Sequence, residues 1–253
     1  MRIISIMNQK GGVGKTTTVL NLAAALSRMK RRVLMIDLDP QAHLTISSKI
    51  NQEDLKFSIY DVLIGKIPIK RIIESVSLRL SLVPSNPILS NIETKRLKGS
   101  EFLLKEVFKG FGRLYSYILI DCPSSLGILT INALCFAREI FIVMQTEYLA
   151  LKSLPHLLDK VDNVKMTLNP KINITGAIAC LYDQKRRIDR RAKGEIKNYF
   201  KEKMFKTAIR KNVSLAESPI LSKDIFKYAP ESNGAQDYLS LAKEVIKMEE
   251  RKN

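Results

Sequence analysis

The sequence lacks the marks of a secreted or membrane-spanning protein. It has only three cysteines, scattered and odd in number, which favours reduced thiols over a disulfide framework. Cysteines that hold a metal or an iron–sulfur cluster lie closer together, so we expect Cys122, Cys135 and Cys180 to be small buried side chains. No apolar run reaches the roughly 18 residues of a bilayer-spanning helix, and no signal-peptide pattern precedes the first apolar segment. We therefore expect a cytoplasmic protein.

The chain also lacks internal boundaries. No Gly/Ser-rich linker, internal repeat or low-complexity tract divides its 253 residues. Hydrophobic residues make up 45% of the chain, which is enough for a sizeable core. A chain of this length can form one large domain or two small ones. Because no linker is present, we predict a single domain over residues 1–253.

Acidic residues are scarce relative to basic ones. The chain has 25 Asp and Glu against 42 Lys and Arg, a formal net charge of +17. Such an excess says little about the fold and more about partners, of which nucleic acid and an anionic membrane surface are the natural candidates. A generally basic proteome would produce the same excess and remains the alternative.

A glycine-rich loop at residues 8–17 is the most specific feature of the sequence. It lies between an apolar run typical of a buried strand and a segment whose apolar residues have helical spacing. Three glycines allow the backbone N–H groups to turn toward an anion, and the following helix adds the positive end of its dipole. We therefore predict that Lys15 reaches the outer phosphates of a nucleotide and that Thr16 holds Mg²⁺. A glycine-rich turn that binds nothing is the alternative.

The start of this loop departs from the ordinary phosphate-binding motif. Gln9 stands where that motif has a glycine, and a second lysine, Lys10, follows it. A single triphosphate usually recruits one lysine from its own loop. We therefore predict that Lys10 reaches a phosphate in a facing subunit.

Apolar strands alternate with helical segments along the chain. Strands are predicted at residues 3–7, 33–36, 80–83, 117–120, 140–144 and 174–179. Short helices are predicted within 55–76, a helix-like stretch at 88–109, and helices after the loop and at 127–137, 149–166, 189–202 and 234–250. This alternation indicates a parallel sheet covered on both faces. The predicted fold is α/β, with a twisted, mostly parallel β-sheet and helices on both faces.

Polar residues follow several of these strands directly. Asp37 and Asp39 come after the second strand, Asp121 after the fourth, and Gln145 and Glu147 after the fifth. In parallel sheets the ligand lies beyond the carboxyl ends of the strands, so these residues are expected to share one edge with the loop. We predict that Asp121 binds Mg²⁺, while one of the Asp37–Asp39 pair supports Mg²⁺ and the other orients an attacking water. A helix cap or turn role is the alternative for each aspartate, and the role of Glu147 stays open.

These motifs resemble those of the ParA/MinD class of deviant-Walker ATPases. The resemblance rests on residues 10–17 (KGGVGKTT), 37–41 (DLDPQ) and 121–127 (DCPSSLG). It continues through residues 145–148, 212–219 and 234–243 and therefore covers nearly the whole chain. Within the class, the chain is most similar to the small chromosome-partitioning ParA type, often called Soj.

The resemblance implies a P-loop NTPase that uses ATP and Mg²⁺. The implied nucleotide-binding residues are Lys10, Gly11, Gly12, Val13, Gly14, Lys15, Thr16, Thr17, Asn212 and Pro219, the last two from a loop beside the adenine. Lys10, Lys15 and Asp39 match catalytic positions, with Asp39 helping to activate water and Lys10 acting across a dimer interface. Thr16, Asp37 and Asp121 match the Mg²⁺ region.

The resemblance also implies a cycle on DNA. ATP closes a homodimer that binds double-stranded DNA without sequence preference, and a ParB-type centromere-binding protein stimulates hydrolysis and releases it. The cycle segregates a bacterial chromosome or plasmid, so the protein is expected in the cytoplasm in association with the nucleoid.

A cluster of basic residues is the candidate DNA surface. Its six cations surround one anion between a predicted strand and helix, which indicates exposure: Lys185, Arg186, Arg187, Arg190, Arg191 and Lys193. Few aromatic residues interleave with them, which argues against single-strand stacking. No helix-turn-helix or zinc motif is visible, so non-specific duplex binding is predicted. A solvated helix face is the alternative.

Two rival functions fit parts of the sequence. A MinD-like membrane-cycling ATPase needs a C-terminal amphipathic helix that is free to lie on lipid. Here the last helix lacks bulky apolar anchors at its end, so we expect it to pack on the core and expect no stable membrane association. A metabolic P-loop ligase, or a reductase of the nitrogenase-iron-protein type, is the second rival. The reductase would need cluster-binding cysteines, which the three scattered cysteines do not resemble.

Overall fold

The sheet is the organising element of the computed structural model, which describes residues 1–94, 99–111, 114–147, 151–152 and 154–250. Within these ranges eight strands form one sheet in the order β3-β4-β2-β5-β1-β6-β7-β8. The strands are β1 (Arg2–Met7), β2 (Val33–Asp37), β3 (Glu74–Ser77), β4 (Leu80–Val83), β5 (Tyr117–Asp121), β6 (Glu139–Gln145), β7 (Asn173–Tyr182) and β8 (Met204–Arg210). Among these described strands, only β3, at one edge, runs antiparallel to its neighbour. The prediction of a mostly parallel sheet is confirmed.

Helices connect the strands. They are α1 (Lys15–Arg28), α2 (His43–Ser47), α3 (Ile59–Leu63), α4 (Asn91–Thr94), α5 (Leu103–Val107), α6 (Ile128–Phe136), α7 (Leu154–Thr167), α8 (Arg187–Phe200), α9 (Val213–Glu217), α10 (Ile225–Tyr228) and α11 (Asn233–Glu250). Short 3₁₀ turns add Ile69–Arg71, Pro87–Ser90, Ser100–Phe102 and Lys201–Lys203.

Two hydrophobic layers cover the two faces of the sheet. On one face, Val19 and Leu22 of α1 pack with Leu241 and Val245 of α11 against the strands. On the other face, residues of α3, α5, α6, α7 and α8 form a second buried cluster. Because both faces are covered, the inner strands have nearly continuous apolar runs, and this is why they are recognisable in the sequence.

The two edge strands depart from the prediction. Residues 74–76 fall in the stretch predicted as helical but belong to β3, and the preceding residues provide only α3 and one 3₁₀ turn. The sequence pattern does not predict β8, because only two of its seven residues are buried and polar side chains interrupt the apolar pattern. An edge strand has one neighbour and one solvated side, so it does not need a continuous apolar run.

Helix boundaries also shift. The helix-like stretch 88–109 is divided into α4, α5 and 3₁₀ turns, and residues 95–98 lie outside the described part. The helix predicted from residue 149 begins at Leu154, with residues 148–150 and 153 outside the described part. Helix α8 begins at Arg187 and ends at Phe200, two residues earlier at each end than predicted.

The last helix is fastened to the core. Tyr238, Leu241 and Val245 of α11 are fully or almost fully buried. Near its end, the Tyr117 hydroxyl donates a hydrogen bond to Glu249, and Arg2 Nη1 donates to the Val245 carbonyl at 2.6 Å. The expectation that this apolar face packs on the core is confirmed. In the described part of the chain, none of the helices combines the length and the apolar character that a bilayer crossing requires.

Gly176 provides a test of the packing between β6, β7 and β8. A Cβ atom here would overlap the Phe205 ring and lie 2.7 Å from Phe141 Cδ1; the two rings pack edge-to-face at 5.1 Å between centroids. Gly176→Ala should lower the free energy of unfolding by about 1–3 kcal/mol in urea titrations, because a well-packed core resists added volume.

Gly194→Ala is the matched control for this change. Gly194 lies in α8, and a Cβ atom added there would meet nothing within 4 Å, so alanine should leave the stability unchanged or raise it by up to about 1 kcal/mol. Equal effects of the two substitutions would contradict the packing described here.

Candidate nucleotide-binding site

The glycine-rich loop joins β1 to α1 in a conformation that needs glycine. Gly12 and Gly14 have φ values of 71° and 96°, in the left-handed region where a Cβ atom is unfavourable. Gly14 occupies the N-cap position of α1, which has neither a side-chain cap nor an acidic residue in its first turn. The first N–H groups of this 14-residue helix therefore have no anionic side chain as a hydrogen-bond acceptor. Such a helix start is suited to bind an anion.

The two lysines of the loop occupy different environments. Lys15 is 7% exposed, and its ammonium donates to the Lys10 carbonyl at 3.2 Å. Burial lowers the pKa of Lys15, and the charges of Asp121 and Asp39 act against that effect. The Lys10 side chain is 46% exposed and forms an ion pair with Glu147 at 2.6 Å. Lys10 therefore points away from its own cavity, toward solvent.

Glu147 and Gln145 both contact the Lys10 ammonium and also contact each other. Lys10 Nζ also donates to Gln145 Oε1 at 3.3 Å, and Gln145 Nε2 donates to Glu147 Oε1 at 2.6 Å. The role that the sequence left open for Glu147 is, in this structure, that of the ion-pair partner of Lys10.

Asp37 and Asp121 lie side by side at the carboxyl ends of neighbouring strands. They are register partners in the β2–β5 ladder, and both are buried. Burial raises the pKa of Asp37 to about 7, although hydrogen bonds from Thr45 and the Asp39 N–H oppose this. Burial, followed by the charge of Asp37, raises the pKa of Asp121 well above its ordinary value. Two buried carboxylates in this position favour a cation beside them.

The two carboxylates differ in their hydrogen bonding. Asp37 Oδ2 accepts from the N–H and hydroxyl of Thr45 at 2.9 and 2.7 Å, and Oδ1 accepts from the Asp39 N–H at 3.2 Å. Both oxygens of Asp121 are buried and have no well-formed hydrogen bond in the described part of the structure, although the Thr16 hydroxyl is near enough to lower the pKa of this carboxyl. Asp37 therefore fixes α2 and the turn at Asp39, whereas Asp121 retains free oxygen ligands.

This arrangement fits a Mg²⁺ ion. Mg²⁺ takes oxygen ligands, usually one or two carboxylates together with substrate phosphates and water. The unpartnered oxygens of Asp121 and the hydroxyl of Thr16, at the start of α1, provide such oxygens. No group of three or more His, Cys, Asp or Glu residues suited to a metal occurs within the described ranges.

Asp39 lies on the wall of the cavity beside the glycine-rich loop. Its Oδ1 accepts from the Gln41 N–H at 2.9 Å, and its carbonyl accepts from the Ser85 hydroxyl at 2.9 Å. Ser85 in turn donates its N–H to Thr45 Oγ1, which binds Asp37. The backbone of Asp39 is thus held from two sides at the edge of the sheet.

The cavity beside the loop has a volume of about 600 Å³, within the usual range for small-molecule sites. It brings together most of the predicted nucleotide-binding residues, including Asn212 and Pro219 from the far end of the chain. Its walls include Gly11, Gly12, Val13, Gly14, Lys15, Thr16, Thr17, Asp39, Asn212 and Pro219. Lys10, Asp37 and Asp121 are not part of the wall.

Other wall residues were missed in the sequence. Ser124 follows Asp121 in its motif. Of the others, Leu215 and Tyr238 lie in the segments 212–219 and 234–243 but were not predicted as site residues, and Cys180 and Ile220 carry no local signal. They reach the cavity from β7, α9, the following turn and α11. Tyr238 also forms a hydrogen bond with Thr18 at 3.2 Å, which ties α11 to α1. The three cysteines are free and buried, as predicted.

The basic cluster lies at the same edge of the sheet, because it follows the carboxyl end of β7. Lys185 and Arg187 are exposed, while Arg190 Nη1 donates to the Gln184 carbonyl at 2.7 Å. Arg186 and Arg191 pair with Asp189 and Glu195, and Lys193 lies 4.7 Å from the Tyr182 ring centroid. Asp189 is buried and accepts from the Thr146 hydroxyl at 3.4 Å, so α8 is joined to the end of β6.

Asp121→Asn should stabilise the metal-free, nucleotide-free protein at pH 8. The pKa of this carboxyl is raised in the folded state above its unfolded value near 4, so the folded state binds more protons and stability falls as pH rises through that window. The substitution removes the charge of a buried carboxylate whose oxygens accept no well-formed hydrogen bond, although the nearby Thr16 hydroxyl favours the charged form and opposes part of the gain. The free energy of unfolding should rise by about 1–3 kcal/mol at pH 8.

Urea titrations in EDTA from pH 4 to pH 8 measure this effect, which should disappear at the acidic end. Asp162→Asn, at an exposed position of α7, is the control and should change nothing. If the Asp121→Asn protein were less stable than the parent at pH 8, the charge of this carboxylate would not destabilise the folded state.

Comparison with known proteins agrees with this geometry. A family model described as an AAA domain matches residues 1–174. The chain is 39% identical over 255 residues to the chromosome partitioning protein ParA of Myxococcus xanthus, covering 100% of this chain and 90% of that protein. It is 40% identical over 247 residues to the sporulation initiation inhibitor protein Soj of Bacillus subtilis, covering 96% and 98%.

Two solved structures show the same fold. The chain is 29% identical, with a TM-score of 0.88 and coverage of 100% and 97%, to cobyrinic acid a,c-diamide synthase from Mycobacterium smegmatis with a bound ATP analog and magnesium. It is 28% identical, with a TM-score of 0.78 and coverage of 100% and 98%, to the septum site-determining protein MinD from Pyrococcus horikoshii with Mg-ADP. With a match at this level to ParA and Soj over nearly its whole length, the chain belongs to the ParA/Soj family of partitioning ATPases, within the ParA/MinD class of P-loop ATPases.

Proposed function

We propose that the protein is a DNA-partitioning ATPase that binds ATP and Mg²⁺, dimerises, and holds non-specific double-stranded DNA until hydrolysis releases it. The observation that carries the proposal is that two features lie at the same edge of the sheet. They are the cavity beside the glycine-rich loop and the exposed, basic start of α8. Membership in the ParA/Soj family supports the same role.

Residues of the chain divide the work of ATP hydrolysis. The N–H groups of the loop and the uncapped start of α1 receive the phosphates, and Lys15 neutralises their outer charge. Asp39, on the cavity wall, orients the attacking water. Asn212 and Pro219 lie farther along the same wall and contact the nucleoside.

Asp121 and Thr16 hold Mg²⁺, with Asp37 supporting them from behind. When bound, Mg²⁺ neutralises negative charge on the β- and γ-phosphates and orients them for transfer. The unpartnered, buried oxygens of Asp121 are the observation that supports this assignment. Asp37, whose oxygens are already engaged by Thr45 and Asp39, contributes by positioning rather than by direct contact.

Lys10 acts on the nucleotide of a second subunit. Its ammonium points to solvent beside the loop, and it cannot serve its own cavity while it pairs with Glu147. An exposed ion pair of this kind is worth at most about 1 kcal/mol, so a phosphate presented by a facing protomer can displace Glu147. This geometry supports a homodimer in which two copies face each other through their loops.

The DNA surface comprises Lys185, Arg186, Arg187, Arg190, Arg191 and Lys193. These cations contact phosphates rather than base edges, which gives affinity without sequence preference. A ParB-type partner bound at a centromere-like site stimulates hydrolysis and completes the cycle on a chromosome or plasmid. The packing of α11 against the core weighs against a MinD-like cycle on membranes.

DNA binding should require ATP and fall steeply with salt. The expected result is retention of a DNA duplex with ATP but not with ADP or no nucleotide, with a log–log salt slope of about −0.9 for each phosphate contacted. Arg186, Arg187, Arg190 and Arg191→Glu should abolish retention while dimerisation with ATP, followed by light scattering, persists. Lys15→Ala should abolish both DNA retention and dimerisation with ATP.

The control carries the same charge change at the opposite edge of the sheet. Arg32, Arg138 and Lys171 precede β2, β6 and β7, and Lys247 lies near the end of α11. Their replacement by Glu should leave retention above half of the parental level if α8 is the binding surface. Equal loss in the two quadruple variants would mean that net charge alone explains binding. Sedimentation with anionic liposomes, in parallel, tests the membrane alternative.

Asp39→Ala should separate binding from turnover. The side chain lies on the cavity wall, whereas the loop N–H groups and Lys15 receive the phosphates in this proposal. ATP and DNA binding should persist, while the turnover number falls by about a hundredfold or more, as for loss of a water-orienting group. Steady-state phosphate release and DNA retention measure the two properties. Parental turnover in this variant would remove Asp39 from the mechanism.

A further inference from the structure

The segment from Asp121 to Gly127 links the magnesium-binding region to α6. It begins at the buried carboxylate of β5, and Ser124 in its middle forms part of the cavity wall. Inside the segment, the Ser125 carbonyl accepts from the Thr130 hydroxyl at 2.6 Å. A displacement of this segment would therefore move both the Asp121 end of β5 and Ser124 on the cavity wall.

Glu93, on the short helix α4, holds this segment from outside. Its Oε2 accepts the backbone N–H of Ile128, the first residue of α6, at 3.0 Å, and its Oε1 accepts from the Ser125 hydroxyl at 3.4 Å. Helix α6 has no side-chain cap of its own, because Gly127 is the N-cap residue. The carboxylate thus occupies the position of a cap supplied by another helix, where the helix dipole favours negative charge. Ile92, the preceding residue, is buried and anchors α4.

Gly127 leaves the space in which this carboxylate lies. A Cβ atom at Gly127 would overlap the Glu93 carboxylate and approach Glu93 Cδ to 2.7 Å, and the three nearest atoms all belong to Glu93. The backbone angles of Gly127, φ −76° and ψ −164°, are ordinary extended values that alanine also adopts. The glycine is therefore required by the neighbouring carboxylate and not by its own backbone.

We propose that Glu93 is a positioning residue for ATP hydrolysis, which sets the place of the Asp121–Gly127 segment through its contacts with Ser125 and the start of α6. The inference rests on the proposed ATPase function and deepens it. Glu93 itself does not reach the cavity wall, so it acts through Ser124 and Asp121 rather than on the nucleotide. Nothing in the local sequence around residue 93 signals this role.

The contact can be broken from either side, which gives a sharp test. Glu93→Ala removes the carboxylate, and Gly127→Ala pushes it away with a methyl group. Each substitution should lower kcat about three- to tenfold with KM within about twofold of the parent, because a misplaced catalytic group costs rate more than ground-state binding. The double variant should be no slower than Glu93→Ala alone, since the added methyl then has no carboxylate to displace.

Two further variants separate positioning from general destabilisation. Glu93→Gln keeps an oxygen acceptor for the Ile128 N–H and should retain at least about half of parental kcat. Glu106→Ala, which removes an exposed acid of nearby α5, should leave kcat unchanged. All proteins are assayed well below their own unfolding transitions.

Amide hydrogen exchange of peptides covering residues 122–128 provides a readout that does not depend on activity. Exchange there should accelerate in Glu93→Ala and in Gly127→Ala, measured without nucleotide, and not in Glu106→Ala. Unchanged exchange, parental kcat in Glu93→Ala, or additive losses in the double variant would each overturn the inference. A parental protein without ATP turnover would instead defeat the proposed function, and the exchange result would still decide whether Glu93 holds the segment.

Discussion

The parallel register of four neighbouring strands is the constraint on which the site depends. In the order β2-β5-β1-β6, every carboxyl end lies at the same edge, so the residues that follow these strands meet there. The β2–β5 ladder places Asp37 directly opposite Asp121, and β1 delivers the glycine-rich loop beside them. One slip in register would separate the carboxylates from the loop and send alternate side chains to the opposite face.

Buried groups of opposite charge lie close together at this edge of the sheet. Burial raises the pKa of Asp37 and Asp121, while the pKa of Lys15 is lowered by the same cause. A bound phosphate would stabilise the charge of Lys15 and the start of α1, and a bound cation would stabilise the charge of Asp121. Such perturbed groups around a cavity are characteristic of functional sites.

The end of β6 connects the two charged regions of this edge. Glu147 pairs with Lys10 of the loop, while the adjacent Thr146 donates to Asp189 in the first turn of the basic helix α8. Consecutive residues thus contact the phosphate-binding loop on one side and the proposed DNA surface on the other. This short covalent path links the loop to the surface for which DNA binding is proposed.

The local sequence determined the inner strands, the loop and the residues that follow the strands, because buried parallel strands are uninterrupted apolar runs and a phosphate-binding loop needs glycines at fixed positions. It did not reveal β3 or β8, whose solvated sides allow polar residues. Nor did it reveal that Asp37 is engaged by Thr45, that Lys10 pairs with Glu147, or that Glu93 caps α6. The last two join residues 137 and 35 positions apart, and only the folding of the chain brings such partners within hydrogen-bond reach.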